Sequence, residues 1–126
     1  MSAERLTPAT VERLAPYVDR QALTAFRGQD GPPWSWLPRV LRAGAVTLGS
    51  DVCFRPGLLD QSTVGGLALI AHECVHVRDY RRLGAPLFLL RYAVGAVQSR
   101  FVHDDHPMEL EAEALQARLY AELQVS

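Results

Sequence analysis

The chain has few cysteines and almost no excess of charge of either sign. Its two cysteines, Cys53 and Cys74, are too few for the disulfide framework that stabilises many small secreted proteins. The 13 basic and 14 acidic side chains nearly cancel, so no net field attracts nucleic acid or an anionic membrane. We therefore expect no nucleic-acid partner.

We also expect neither a secretory signal peptide nor a membrane-spanning segment. The sequence begins Met-Ser-Ala-Glu-Arg-Leu, without the charged-then-apolar layout of a secretory signal peptide, and we expect a cytoplasmic location. Residues 85–97 are strongly apolar, but Arg91 falls near their middle and they stop short of the roughly 20 residues that cross a bilayer. We expect no membrane span. A core helix is the main interpretation of this segment, with a helix lying on a lipid surface as the alternative.

What the sequence does contain suits one compact domain. Its 126 residues are 48% hydrophobic and 21% charged, which is enough for one core and too little for two. We expect residues 1–126 to form a single domain, with residues 1–20 as an N-terminal helical extension.

Turn, cap and periodicity signals divide the chain into helices and one hairpin. In chain order they predict a helix from Pro8 to about Leu14, an edge strand over residues 21–27, a short helix over residues 34–44, a hairpin of Ala45–Leu48 and Asp51–Arg55, a long helix from about Ser62 to Leu83 and a last helix from Pro107 through Leu123. Trp34 and Trp36 are expected to pack on the core, with a ligand role as the alternative. The predicted fold class is α+β, in which a small antiparallel sheet with its hairpin packs on a buried central helix and further helices.

The predicted long helix carries start and stop signals. Asp60 or Ser62 can cap its first turn, and Gly84 can end it. Gly65 and Gly66 in its first turns each cost roughly 1 kcal/mol relative to alanine. We therefore expect close packing against the hairpin to require them.

The pentapeptide His72-Glu73-Cys74-Val75-His76 is the strongest chemical signal in the chain. Residues four apart on a helix share one face, so His72 and His76 can offer two imidazoles to one metal ion. Glu73 lies beside them and can accept a proton from activated water, as in the zinc peptidases. Cys74 points away from that face and is expected to be a core residue rather than a ligand. A metal would satisfy three polar groups whose unpartnered burial costs several kcal/mol.

Charged residues follow the second histidine. Asp79 lies one turn beyond His76 and could orient its ring, although a surface salt bridge is an equal alternative. Arg78, Arg81 and Arg82 complement the helix dipole in the last turns, and we expect them to form a solvated end.

A catalytic zinc site usually needs a third protein ligand. One metzincin pattern would place Gly and His where this chain has Asp79 and Arg82, so that class is excluded. A glutamate from a later helix is the other common solution. The candidates are Glu109, Glu111 and Glu113 in the last predicted helix, with His103, Asp104 and His106 just before it.

Several stretches together carry a family resemblance. They are Ala45-Val46-Thr47-Leu48-Gly49, Phe54-Arg55-Pro56-Gly57, residues 67–77 around the two histidines, the run from Phe88 to Tyr92, and Pro107-Met108-Glu109-Leu110-Glu111-Ala112. With them, residues from about Leu23 to Leu119 resemble the small zincin-like metallopeptidase domains of bacteria linked to extracellular contractile injection systems and polymorphic toxins. The resemblance implies a minimal zincin-like domain and leaves export by a specialised system open.

The stretch Glu109-Leu110-Glu111-Ala112-Glu113 is also similar to the Glu-x-x-Ala-Asp signature of glutamate-ligand zinc peptidases. This similarity implies Glu109 as the third zinc ligand and places Glu113 where the signature has a supporting Asp. The expected activity is hydrolysis of a peptide or protein substrate, with zinc on His72, His76 and Glu109 and with Glu73 as general base.

Two matters stay open in this prediction. Tyr92, His103 and His106 are the candidates for stabilising the oxyanion of the reaction. The alternative function is a non-catalytic zinc-binding accessory domain with a secretion-system or toxin partner.

Overall fold

The computed structural model describes residues 3–31, 35–40, 43–98 and 107–125. In chain order its elements are α1 (Pro8–Leu14), α2 (Arg20–Ala25), β1 (Arg27–Gln29), α3 (Trp36–Val40), β2 (Ala45–Leu48), β3 (Asp51–Phe54), α4 (Val64–Leu83), α5 (Ala85–Gln98) and α6 (Pro107–Val125). The α+β class is confirmed, as are the first helix, the hairpin and the last helix.

The sheet is mixed rather than antiparallel throughout. Its order is β1-β3-β2, with β2 antiparallel to β3 and β1 parallel to β3. Gly49 turns the hairpin with φ +70°, a conformation that glycine adopts without steric cost. Strand β2 therefore lies at an edge of the described sheet.

The predicted edge strand over residues 21–27 is wrong for most of its length. Asp19 caps a helix there by accepting a hydrogen bond from the backbone N–H of Gln21. Ala22 and Leu23 are buried on one face of that helix. The chain becomes extended only at Arg27, so a cap and a buried helical face outweighed the strand propensity of the segment.

Helix α4 is the centre of the fold. From Gly66 to Val77 every residue except Leu69 is buried, with α6, α2, α5 and β2 packed around the helix. Helix α1 contributes Val11 and Leu14 to the same core. The N-terminal helix is thus part of the core packing.

The first turn of α4 is capped by a residue that the sequence did not single out. Thr63 accepts a hydrogen bond from the backbone N–H of Gly66 through its Oγ1, at 3.0 Å. Asp60 instead accepts from the backbone N–H of Ser62 at 2.8 Å. Gly84 ends the helix with φ +79°, as expected.

Gly66 is required by a close backbone approach, but not by the hairpin. A Cβ atom at this position would overlap the backbone carbonyl of Asp60 and lie 2.8 Å from Thr63 Oγ1. At Gly65 the nearest atom to a Cβ would be in the Tyr120 ring, at an ordinary 3.8 Å. The loop before α4 therefore leaves no room for a side chain at Gly66, whereas Gly65 has room for one.

This pair gives a matched test of the packing at the start of α4. We expect Gly66→Ala to lower the free energy of unfolding by about 2–3 kcal/mol, because backbone must move to admit the methyl group. Gly65→Ala should leave stability unchanged or raise it by up to about 1 kcal/mol, since alanine is the better helix former. Urea unfolding followed by circular dichroism measures both, and equal effects would contradict this packing.

Helix α5 does not have the burial of a core helix, and that expectation is corrected. Phe88 is buried, but five large apolar side chains of the helix are 41–66% exposed, namely Leu87, Leu89, Leu90, Val94 and Val97. Trp36 is likewise 51% exposed rather than packed in the core, and Trp34 lies outside the described residues. No helix among the described residues is long and apolar enough to cross a membrane.

Candidate metal centre

Three buried side chains converge where α4 and α6 meet. His72 and His76 project from successive turns of α4, and Glu109 projects from the first turn of α6. Oxygen Oε1 of Glu109 lies 2.9 Å from His72 Nε2 and 2.8 Å from His76 Nε2. The three donor atoms lie within 4.8 Å of one another, so this group could hold a metal ion.

The chemistry of these donors fits a bound cation. His72, His76, Glu109 and the neighbouring Glu73 are only 3–6% exposed. Two carboxylates buried beside two imidazoles are costly unless a positive charge compensates them. Two imidazole nitrogens and one carboxylate oxygen are a ligand set that divalent zinc accepts.

The second ring nitrogen of His72 is held by α6. Nδ1 of His72 lies 2.7 Å from Oε1 of Gln116, to which it donates, so Nε2 is the atom that faces Glu109. Burial disfavours a charged ring, but the hydrogen bond to Glu109 and the charges of Glu73 and Glu109 outweigh it and raise the pKa of His72. The surroundings of this ring thus favour positive charge.

Replacing Gln116 should weaken metal binding without removing a ligand. We expect Gln116→Leu to lower the affinity for zinc by about 10–100-fold, because the His72 ring loses the partner that fixes its tautomer and orientation. Gln124→Leu makes the same change at an exposed position of α6 and serves as control. Competition with a zinc-binding dye measures both affinities, and an unchanged affinity in Gln116→Leu would argue against this positioning role.

Glu73 is adjacent to the three converging residues but is held separately from them. Its Oε2 accepts a hydrogen bond from Thr47 Oγ1 at 2.8 Å, and its Oε1 lies 3.9 Å from His72 Nε2. Thr47 belongs to β2, so the sheet anchors one oxygen of this carboxylate. The arrangement leaves the other oxygen directed toward the cluster.

Helix α5 covers the cluster with aromatic side chains. The Tyr92 hydroxyl donates to Oε2 of Glu109 at 2.8 Å, while the ring of Phe88 meets the His76 ring edge to face at 6.2 Å. Burial and then the charge of Glu109 raise the pKa of Tyr92, so it remains a donor. Tyr92, one of the three candidates for the oxyanion stabiliser, therefore holds one carboxylate oxygen of Glu109, a candidate ligand. The other two candidates, His103 and His106, lie outside the described residues, as does Asp104.

Asp79 does not orient His76 in this structure. Its Oδ1 accepts from Arg78 at 2.9 Å, and Nδ1 of His76 is buried with no hydrogen-bond partner among the described residues. Arg78 also donates to both carboxylate oxygens of Glu111, at 2.8 and 2.7 Å. Arg78 is thus not part of a solvated end but ties α4 to α6, and Glu111 is engaged away from the cluster.

Cys74 lies outside the cluster, as predicted. Its side chain is fully buried in the hydrophobic core, and burial raises the pKa of its thiol. A thiolate ligand is disfavoured at such a position.

Sequence reasoning missed two polar residues that support the site. Thr47 lies in a strand far along the chain from Glu73, and no motif joins them. Gln116 had a detectable signal, because it follows Glu109 by seven residues and so lies on the same face of α6 two turns later. The supporting position that the resemblance implies for Glu113 stays a prediction, and the contact with Nδ1 of His72 comes from Gln116.

Comparisons with known proteins connect this geometry to one family. No curated protein and no solved structure matches the chain. The eCIS core domain family matches residues 5–84, a range that contains His72, Glu73 and His76 but ends before Glu109. Because this match covers more than half of the 126 residues, the chain belongs to the eCIS core domain family, which links it to extracellular contractile injection systems.

Proposed function

We propose that this protein is a zinc-dependent hydrolase that cleaves peptide bonds with Glu73 as its general base. One observation carries the proposal. The His72, His76 and Glu109 donors converge on one point, and a further buried carboxylate stands beside them without joining them. A purely structural metal site has no need of that additional carboxylate.

The proposed metal ligands are Nε2 of His72, Nε2 of His76 and Oε1 of Glu109. Zinc bound there would supply Lewis acidity, making a water molecule acidic enough to react near neutral pH. Three protein ligands leave a coordination position for a reacting group, as catalytic sites require.

Side chains of the protein would accept and transfer the proton. Glu73 would accept it at Oε1, the oxygen nearer the cluster, and pass it to the leaving amine. Thr47 would hold the carboxylate in place through Oε2. Tyr92 would keep Glu109 oriented through its second carboxylate oxygen.

An extended peptide substrate could reach Glu73 along β2. This strand lies at an edge of the described sheet, and Thr47 on it touches Glu73 directly. A substrate strand paired with such an edge gains main-chain hydrogen bonds and is brought close to the general base.

A second candidate function is a non-catalytic metal-binding accessory domain of an injection system. The burial of all four site residues, at 3–6% exposure, favours it, because a structural metal site needs no access for substrate. The exposed apolar side of α5 is also typical of a domain that contacts another surface.

Digestion of a peptide library distinguishes the two functions. Zinc-loaded protein should generate new peptide termini, detected by mass spectrometry, while Glu73→Gln protein should generate none. Full zinc occupancy without any cleavage would support the accessory role instead.

A further inference from the structure

Helix α5 has two faces of different character. Phe88 and Tyr92 face the protein, where Phe88 stacks on Tyr80 with ring centroids 3.8 Å apart. The other face carries Leu87, Leu90, Val94 and Val97 at spacings of three and four residues, each at least 41% exposed. An exposed row of this length on a small domain marks a contact surface.

The exposed apolar face of α5 is wider than one row. Pro86, Leu89 and Ala93 form a second exposed apolar row beside the first. A helix that pairs with one other helix usually shows a narrow apolar seam flanked by charged residues. A face two rows wide is better suited to a broad, flat apolar environment.

The charged side chains in the chain segment that contains α5 are basic. Residues 80–103 contain no aspartate and no glutamate, whereas Arg81, Arg82 and Arg91 are exposed in this stretch. Arg91 follows Leu87 by four residues and precedes Val94 by three, so it borders the apolar face. Two acidic residues lie close to Arg81 and Arg82. Asp19 shares a groove with both arginines, and the charge of Arg82 reaches the Glu111 carboxylate that Arg78 holds. The nearly neutral total charge of the chain therefore conceals a basic segment.

These charges distinguish among possible occupants of the face. Two copies of the chain meeting through α5 would bring Arg91 toward Arg91 without an acidic residue on the helix to compensate. An anionic lipid surface offers both an apolar layer for the leucines and valines and phosphates for the arginines.

We propose that α5 docks in the plane of an anionic lipid bilayer. Leu87, Leu90, Val94 and Val97 would enter the acyl boundary, and Arg81, Arg82 and Arg91 would contact lipid phosphates. The metal cluster would then lie directly beneath the membrane contact, because Tyr92 and Phe88 of the same helix touch Glu109 and His76. This inference does not depend on hydrolase activity.

Vesicle flotation with the full chain tests the proposal. Purified protein should float with phosphatidylcholine vesicles that contain about one third phosphatidylglycerol, and much less with phosphatidylcholine alone. Leu90→Glu should weaken binding by at least about tenfold, since it places a charge in the acyl boundary. Leu110→Glu makes the same change at a 54% exposed leucine on α6 and should bind like the unmodified chain.

Charge reversal gives an independent readout. Arg91→Glu should weaken binding to the anionic vesicles about tenfold, and added salt should weaken the binding of the unmodified chain. Three results would overturn the proposal: no flotation of the folded protein, equal binding by Leu90→Glu and Leu110→Glu, or a dimer in solution that Leu90→Glu alone dissociates. The last would assign the face to a second copy.

Discussion

Glu73→Gln protein is expected to bind zinc as the unmodified chain does and to hydrolyse peptides at least about a thousandfold more slowly. Glutamine has nearly the size of glutamate, and its amide oxygen can still accept the hydrogen bond from Thr47 Oγ1. The amide cannot take up a proton as the carboxylate does. The substitution therefore removes the proton acceptor and keeps the local packing.

The measurement pairs elemental analysis with cleavage rates on the same preparations. Glu122→Gln is the matched control, because it makes the same change on the exposed surface of α6 near its end. It should keep the rate of the unmodified chain. Undiminished cleavage by Glu73→Gln would rule out Glu73 as the base, and loss of zinc from that variant would give it a role in metal binding instead.

Glu109→Gln is expected to abolish tight zinc binding and the stability that zinc confers. The substitution removes the negative charge that Nε2 of both His72 and His76 faces at 2.8–2.9 Å. At zinc concentrations about 100 times the dissociation constant, binding stabilises a protein by about 2.7 kcal/mol. For a chain of this size we expect zinc to raise the melting temperature by roughly 10 °C in the unmodified protein and hardly at all in Glu109→Gln.

Glu122→Gln is again the control in this second experiment, with the same change at an exposed position near the end of α6. It should retain zinc and the thermal shift. His72→Ala, like Glu109→Gln, should lose both. If Glu109→Gln keeps one zinc per chain with unaltered affinity, then Glu109 is not a ligand. The third ligand would then have to be sought elsewhere, for instance at His103 or His106.

The features that sequence predicted well are those set by local signals. Thr7 and Pro8 define the start of α1, Gly49 defines the hairpin turn, and the apolar run around His72 defines a buried helix. The converging set of His72, His76 and Glu109 was predictable because helical spacing fixes the histidines and a short signature points to the glutamate. The structure adds that Oε1 of Glu109 lies within hydrogen-bonding distance of Nε2 on both histidines.

What sequence could not predict depends on contacts between distant segments. The strand expected over residues 21–27 became α2 because its Ala22 and Leu23 had a core to pack against. The supporting contacts of Thr47 with Glu73 and of Gln116 with His72 join different elements and leave no spacing pattern. The composition of residues 85–97 likewise could not predict that only one face of α5 is buried.

Helix α5 lies in the stretch of chain between the second histidine and Glu109. An ion held by all three side chains would close that stretch into a loop, acting as a removable crosslink between residues 76 and 109. Chelation would reopen the loop and leave the hydrogen bond from Tyr92 to Glu109 as a remaining contact between α5 and α6. Metal supply would then govern how rigidly the domain displays the leucines and valines of α5.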